Sequence, residues 1–97
     1  MKVTVVHKAF EDAPITVADV ETPFAVVEEA LEYAYRWTNN VMGSWSRDEK
    51  VFSNGETNGD FNPNVTRIAP LHEDGMGLRS TSMGDEMIVD GKTFKVA

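Results

Sequence analysis

The stretch Thr22–Asn39, TPFAVVEEALEYAYRWTN, is the longest run of this chain with a helical period. Its apolar positions recur at spacings of three and four residues, which places them on one face of an α-helix. The residues of this face are Phe24, Val27, Leu31, Ala34 and Thr38, with Ala30 and Tyr35 widening it. The strand-like runs on either side need an apolar surface to cover them, so we expect this helix to organise the fold.

Both ends of the helix carry a sequence signal. Thr22 has a side-chain oxygen that can accept a hydrogen bond from a first-turn N–H, and Pro23 suits the first helical position because no donor is needed there. Asn39 and Asn40 tolerate the left-handed conformation that often ends a helix. We therefore expect the helix to begin at Pro23 and to end before Asn39.

Three further runs have the composition of strands. Lys2–Ala9 (KVTVVHKA) and Ile15–Val20 (ITVADV) are rich in β-branched residues and are separated by a short turn that contains Pro14. This short connection makes an antiparallel hairpin the simplest pairing. Val65–Ala69 (VTRIA) is a third strand, closed by Pro70.

The clearest strand signal is Asp90-Gly91, which separates GDEMIV from KTFKVA. Asp-Gly is a favoured two-residue turn between antiparallel strands, so the register follows by counting outward from it. The expected pairs are Val89 with Lys92, Ile88 with Thr93, Met87 with Phe94, and Glu86 with Lys95. The residues that then share the core face are Met87, Val89, Phe94 and Val96. A charge pair between Glu86 and Lys95 is expected on the opposite face.

These runs predict an α+β fold: a small, mostly antiparallel sheet in the order β-β-α-β-β-β, packed on one helix. A chain of 97 residues can bury one modest core, so we expect residues 1–97 to form a single domain. The segment 41–63 is a long loop rich in Asn, Gly, Ser and Asp. Loops of this length are uncommon in compact domains unless they are functional or disordered.

The composition restricts the classes of function. There are 16 Asp and Glu residues against 9 Lys and Arg, which gives a net charge of −7. Such a field repels phosphate backbones, so direct nucleic-acid binding is disfavoured and a basic protein surface is the better partner. The chain has no cysteine, which excludes disulfides and thiolate metal sites. No run is apolar enough for a signal peptide or a membrane span, so we expect a cytoplasmic protein with no membrane partner.

No motif has the spacing of a catalytic or metal site. The stretch Asn54–Asp60 (NGETNGD) imitates a calcium loop, but it begins with Asn, and Val65 stands where a bidentate Glu is required. His7 and His72 are far apart in sequence, and no serine belongs to a nucleophile motif. The sequence therefore predicts no catalytic residue, no metal and no cofactor.

Aromatic side chains give a candidate binding surface. Trp37 lies one helical turn after Tyr33, while Trp45 and Phe52 lie in the long loop with Arg47. In one interpretation the loop folds back over the helix, and Trp37 and Trp45 form a small satellite core. In the other, the aromatic residues form an exposed patch ringed by acidic residues, as in protein-binding hot spots. The candidates for partner binding are Trp37, Trp45, Arg47 and Phe52.

The segment Leu78–Asp85 (LRSTSMGD) is a second candidate site. In a structural interpretation, Gly84 allows a sharp bend and Asp85 bonds to local backbone amides. In a functional interpretation, Arg79 and the neighbouring hydroxyls of Ser80 and Ser82 bind an anion or a phosphate. The structural interpretation is favoured, because one arginine in an acidic protein is weak support for an anion site.

The end of the chain, RSTSMGDEMIVDGKTFKVA, resembles the closing segment of small, uncharacterised proteins encoded by tailed bacteriophages, plasmids and some bacteria. In these proteins an RSTSxGD run leads into a strand, a turn and a final strand. The helix end, the tryptophan after it and the element Asn62–Val65 are also similar. The resemblance implies a mobile-element origin, with the host cytoplasm as the location for a phage-encoded chain, and it implies no activity.

Two functions from different classes follow from these features. The first is a non-enzymatic, phage-type accessory protein that binds a host or phage protein, as an acidic inhibitor or a mimic of nucleic acid. The alternative is a small-ligand or nucleotide-binding module that uses the Arg79–Ser82 segment. An enzyme ranks third, because it would need converging polar groups that no motif reveals. Unpaired sheet edges and surplus aromatic residues are also compatible with a homodimer.

Overall fold

The computed structural model describes residues 1–97 and contains a five-stranded antiparallel sheet with one helix. In chain order the elements are β1 (Lys2–His7), β2 (Ile15–Glu21), α1 (Val27–Trp37), β3 (Val65–Arg67), β4 (Glu86–Val89) and β5 (Lys92–Lys95). The spatial order of the strands is β3-β2-β1-β4-β5, so β1 is central and β3 and β5 are the edges. The predicted α+β class, with a small antiparallel sheet and one helix, is confirmed.

The predicted register of the last hairpin is confirmed. Strand β5 pairs with β4 through the four residue pairs counted from the turn, Val89–Lys92, Ile88–Thr93, Met87–Phe94 and Glu86–Lys95. Asp90 and Gly91 both have positive φ, +49° and +78°, as a type I′ turn requires. The expected Glu86–Lys95 charge pair is absent, because Glu86 instead forms an ion pair of 3.3 Å with Lys8, the residue after β1.

Strands β1 and β2 form the predicted antiparallel hairpin, with one irregularity. Val5 pairs with Ala18 and Val6 pairs with Thr16, so Val17 is an extra residue in β2. Such a bulge bends the strand and increases its twist. Val17 is buried, and it therefore adds to the core even though the regular register skips it.

The core lies between one face of the sheet and α1. Ala30 and Ala34 are the fully buried residues of the helix, and their small size lets the helix pack close to β1. The other members of the core cluster are Val3, Val5, Val17, Ala18, Val20, Trp45, Val65, Ala69, Leu78, Met87 and Val89. The helical face is narrower than predicted, because Phe24 and Tyr35 are exposed.

The helix begins four residues later than predicted. Val26 is its N-cap residue and makes no side-chain capping bond. Thr22 is buried beside the hairpin, where its N–H donates to the Met1 carbonyl and its hydroxyl donates to the Phe24 carbonyl. Thr22 and Pro23 are thus a connection from β2 to the helix. The helix ends at Trp37, before Asn39 as predicted.

The two long connections, residues 38–64 and 68–85, are hydrogen-bonded to each other. The Trp45 indole N–H donates to the Arg79 carbonyl at 2.9 Å, and the Leu78 N–H donates to the hydroxyl of Ser46 at 2.7 Å. The Thr81 N–H donates to the carbonyl of Thr38 at the end of the helix. The predicted loop at 41–63 is therefore joined to the segment before β4.

Buried polar side chains hold the first of these connections in shape. Asn58 makes four side-chain hydrogen bonds, accepting from the N–H groups of Ser44 and Asp60 and donating to the carbonyls of Ser44 and Glu49. The carboxylate of Asp60, which is also buried, accepts from the N–H groups of Val41 and Met42. The part of the chain that imitates a calcium loop thus contributes to packing.

The one helix, α1, could not cross a bilayer, since it has only 11 residues and is not uniformly apolar.

Candidate functional site

The most densely connected polar group is Arg79, which lies between two carboxylates. Its Nε and one terminal nitrogen donate to Glu11 at 3.0 and 2.8 Å. Both terminal nitrogens donate to Asp85 at 2.7 and 2.8 Å, and one also donates to the carbonyl of Ser80. A guanidinium has five N–H groups, so all of them are engaged. Its cation also lies 4.9 Å from the centre of the Phe10 ring.

Asp85 is the buried centre of this cluster. Its carboxylate accepts hydrogen bonds from the backbone N–H groups of Lys8, Ala9 and Ser82 as well as from Arg79. Burial alone would raise the pKa of Asp85, but the guanidinium and the three amides favour the charged form and hold the pKa well below its usual range. The pKa of Glu11 is also lowered, chiefly by its hydrogen bonds from Arg79.

A chain of hydrogen bonds leads to the helix from His7, whose Nε2 lies 4.0 Å from the carboxylate of Asp85. The Ala34 carbonyl can only accept, so the Thr38 hydroxyl donates to it at 2.7 Å. Thr81 must then donate its hydroxyl proton to Thr38 at 2.8 Å. His7 Nε2 lies 3.0 Å from the Thr81 hydroxyl and must donate to it. This order fixes the proton of a neutral His7 on Nε2.

His7 is held in this neutral state by its surroundings. Burial lowers its pKa, and the nearby cation of Arg79 lowers it further, while Asp85 and Glu11 act in the opposite direction. The ring also packs edge-on against Trp45, with the ring centres 6.3 Å apart. His7 therefore acts as a buried hydrogen-bond donor that links β1 to the two long connections.

A cleft of about 480 Å³ opens beside His7, Glu11 and Arg79. Its remaining wall is formed by apolar residues of β2 and of the segment after β3, together with His72 and Glu73. A cleft with converging titratable groups is the usual first candidate for a small-molecule site. Here the only cation in the lining is already neutralised by two carboxylates, so the cleft presents no free positive charge.

The predicted anion-binding residues are engaged within the chain. Arg79 has no free donor, as described above. The Ser80 hydroxyl accepts from the Asn40 N–H, and the Ser82 hydroxyl donates to the Ser80 carbonyl. The favoured structural interpretation of this segment agrees with these contacts. Asp85 does bond to the local amide of Ser82, but it also accepts from the amides of Lys8 and Ala9, directly after β1.

The predicted partner-binding residues fall into separate groups. Trp45 is only 3% exposed and belongs to the main core, so it does not form a satellite core with Trp37. Trp37 is half-buried beside Tyr33 and under Arg36, whose guanidinium lies 4.2 Å from the Trp37 ring centre. Arg47 and Phe52 do come together, with 5.4 Å between the guanidinium and the ring centre.

The outer face of α1 carries free carboxylates. Glu28, Glu29 and Glu32, here called the acidic face, are exposed, and none of them takes part in an ion pair. Arg36 is one helical turn after Glu32, yet it pairs with the buried Asp60 at 3.1 Å. The carboxylates of the acidic face therefore point to solvent without a cationic partner in the chain.

An apolar groove of about 350 Å³ lies between the helix and the last strand. Its lining includes Leu31 and Tyr35 from α1 and Phe94 and Val96 from the end of the chain, with Met87 at its floor. Glu32 of the acidic face forms part of its rim. The groove lies next to β5, an edge strand whose outer side pairs with no other strand.

Sequence reasoning missed the packing roles of Asn58 and Asp60, and it missed the long-range bonds of Asp85. Each stands among Gly, Asn and Ser residues, a composition typical of solvated turns. Their partners lie in other parts of the chain, up to 77 positions away for Asp85 and Lys8. No local pattern distinguishes an aspartate that accepts such remote amides from one in an exposed turn.

Comparison of the chain with protein-family models, with curated proteins and with solved structures found no match.

Proposed function

We propose that this chain is a non-enzymatic accessory protein that binds another protein through the acidic face of α1. The proposal rests on which charged side chains have an ion-pair partner within the chain and which do not. Each of the four arginines has a carboxylate partner within the chain, in the pairs Arg36–Asp60, Arg47–Glu49, Arg67–Asp48 and Arg79 with Glu11 and Asp85. The three glutamates of the acidic face have no such partner.

The geometry of the helix makes this charge directional. Glu28 and Glu32 are four residues apart and project from the same side of α1, with Glu29 beside them. Ala30 and Ala34 hold the opposite side of the helix against the sheet, so the helix presents its carboxylates on a rigid element. A basic protein surface is the complementary partner, and opposite charges of this kind also accelerate association.

The narrower hypothesis, an inhibitor that mimics nucleic acid, has less support. Outside α1 the exposed carboxylates that have no ion pair lie singly or as one pair in turns and loops, at Asp12, Glu56, Glu73, Asp74 and Asp90. A mimic needs a continuous row of negative charge, and only the helix provides one. We therefore propose a phage-type protein-binding function and leave mimicry as one form of it.

The alternative, a nucleotide or anion module at Arg79–Ser82, is weakened by the contacts of that segment. An added phosphate would have to displace Glu11 or Asp85 from Arg79, at the cost of charge-assisted hydrogen bonds. The acidic face requires no such displacement, and it is the better-supported site.

The test is affinity capture of protein partners by the tagged chain from bacterial lysate at low and at moderate salt. We expect a stoichiometric partner that salt releases, because exposed charge pairs are screened. The double variant Glu28→Gln/Glu29→Gln should then weaken binding to the purified partner about fivefold, since each exposed pair contributes about 0.2–1 kcal/mol.

The matched control is Glu73→Gln/Asp74→Asn, which removes the same charge from an exposed turn far along the sequence. This control should bind the partner as the wild type does. Equal weakening by both variants would show a general charge effect instead of a site, and capture of no partner would contradict the proposed function for that host.

A further inference from the structure

Strand β5 exposes unpaired backbone groups along the edge of the sheet. In a hairpin with a two-residue turn, the residues that flank the turn bond to each other, here Val89 and Lys92. Bonding positions alternate along a strand, so Lys92 and Phe94 direct their N–H and C=O groups toward β4. Val96 continues this pattern, since its N–H donates to the Asp85 carbonyl. The corresponding groups of Thr93 and Lys95 therefore point away from the sheet.

Along this edge, the face of the sheet toward α1 is the apolar one. Phe94 and Lys92 lie on the side of α1, because they oppose the buried Met87 and Val89. The apolar groove between α1 and β5 opens on the same side and is lined by Leu31 and Phe94. The open edge and the groove together form one continuous surface that has both hydrogen-bonding groups and apolar side chains.

We propose that this surface binds a second copy of the chain, by antiparallel pairing of the two β5 strands about a twofold axis at Phe94. In this register Thr93 of each copy opposes Lys95 of the other, and these are the residues whose backbone groups face outward. The pairing would make about four backbone hydrogen bonds and join the two five-stranded sheets into one. The paired Phe94 side chains would cover the end of each groove.

Charge selects this register over its neighbours. A shift that places the axis at Lys95 puts the two Lys95 side chains opposite each other, which is destabilising. A shift that places the axis at Thr93 pairs Phe94 with Lys92 and leaves Val96 without an opposite residue in the partner strand. With the axis at Phe94, Lys92 of one copy opposes Val96 of the other.

The register at Phe94 also creates a new ion pair. Val96 and Glu32 line the same groove, so a lysine opposite Val96 approaches the carboxylate of Glu32. Lys92 has no carboxylate partner within its own chain, and neither does Glu32. The twofold axis repeats this pair, so each dimer contains it twice.

The test is sedimentation equilibrium of the full chain across a wide range of protein concentration. We expect association to twice the chain mass of 10.8 kDa. Lys92→Glu and Glu32→Lys should each weaken the dimer about tenfold, because each reversal places two like-charged pairs in the interface. The double variant should restore the dimer to within about threefold of the wild type.

The matched control is Lys50→Glu, which makes the same change of charge at an exposed lysine of the long loop. It should leave the dimer unchanged. A wild-type chain that remains monomeric at about 1 mM overturns the proposal. A dimer that the double variant fails to restore overturns the register.

A cross-link provides a second, independent measurement. The chain has no cysteine, so a single Phe94→Cys substitution introduces the only thiol. Directly opposed residues of an antiparallel pair have a Cα separation within the range of a disulfide. We expect Phe94→Cys to form a covalent dimer on oxidation and Lys92→Cys to do so far less. Equal cross-linking at both positions, or none at position 94, contradicts the proposed axis.

Discussion

At the scale of single residues, Asp85 is the most consequential side chain of this protein. Its buried carboxylate joins Lys8 and Ala9, the two residues after β1, to the segment that precedes β4 through their backbone amides. It also fixes Arg79, whose guanidinium reaches Glu11 in the turn between β1 and β2. Asp85 and the arginine that it fixes therefore connect residues 8–11 to residues 79–85, two parts of the chain that are remote in sequence.

We expect Asp85→Asn to lower the free energy of unfolding by about 3–5 kcal/mol, because the substitution removes one partner of a buried ion pair and presents an NH₂ group to N–H donors. Urea unfolding followed by circular dichroism measures this loss. The matched control is Glu11→Gln at the more exposed end of the same pair, which should cost about 1 kcal/mol. Equal costs for the two variants would contradict the central role of Asp85.

The sequence indicates part of the role of Asp85 and no more. A local bond to the amide of Ser82 is predictable, because Asp near a glycine commonly forms such turns. The bonds to Lys8 and Ala9 are not predictable, since they depend on the sheet placing the end of β1 beside β4. The role of Arg79 is not predictable either. Whether this arginine is structural or binds an anion depends on its partners in the fold, which the local sequence does not reveal.

At the scale of elements, the last hairpin and the helix show why sequence signals differ in strength. The Asp90-Gly91 turn determines the register of its strands by counting, because the turn has only two residues. Thr22-Pro23 carries the signal of a helix start, but burial of Thr22 beside β2 decides its conformation. A short-range constraint is therefore predictable here, while a capping signal yields to tertiary packing.

The long loop between α1 and β3 belongs to the core through Trp45. The sequence predicts that Trp45→Ala loosens this loop and leaves the helix and sheet intact. In the structure Trp45 packs against His7 and donates to the Arg79 carbonyl. We therefore expect Trp45→Ala to lower the free energy of unfolding by about 3–5 kcal/mol.

Urea unfolding of Trp45→Ala measures this loss, with Phe52→Ala as the control. Phe52 is a half-buried aromatic residue of the same loop, outside the core cluster, and its removal should cost about 1 kcal/mol or less. A cost below about 1 kcal/mol for Trp45→Ala, together with faster cleavage by trypsin after Arg47, would show instead that the loop is an independent unit.

At the scale of the whole molecule, the lowered pKa values of three groups make the free energy of unfolding decrease as the pH falls. The pKa of His7 is lowered in the folded state, so the unfolded chain binds more protons as the pH falls below about 6.5, and stability decreases. The pKa values of Asp85 and Glu11 are also lowered, and their contribution is lost as the pH falls below about 4.

We expect the free energy of unfolding to decrease in two stages as the pH falls, first below about 6.5 and again below about 4. His7→Gln, which keeps an N–H donor for Thr81, should remove the first stage and preserve the second. His72→Gln is the control, because His72 is exposed and is the only other histidine. Urea midpoints at closely spaced pH values measure both stages. If the decrease below about pH 6.5 persists in His7→Gln, another group is responsible for it.

The position of β1 at the centre of the sheet has a consequence for synthesis on the ribosome. The central strand emerges first, but one of its two neighbours, β4, is translated some 80 residues later, with a delay of several seconds at about 5–20 residues per second. During that interval the nascent hairpin of β1 and β2 exposes a valine-rich edge, and the amides of Lys8 and Ala9 lack their acceptor. We therefore expect folding to wait for the arrival of residues 85–89, and the partly made chain to bind chaperones through this exposed edge.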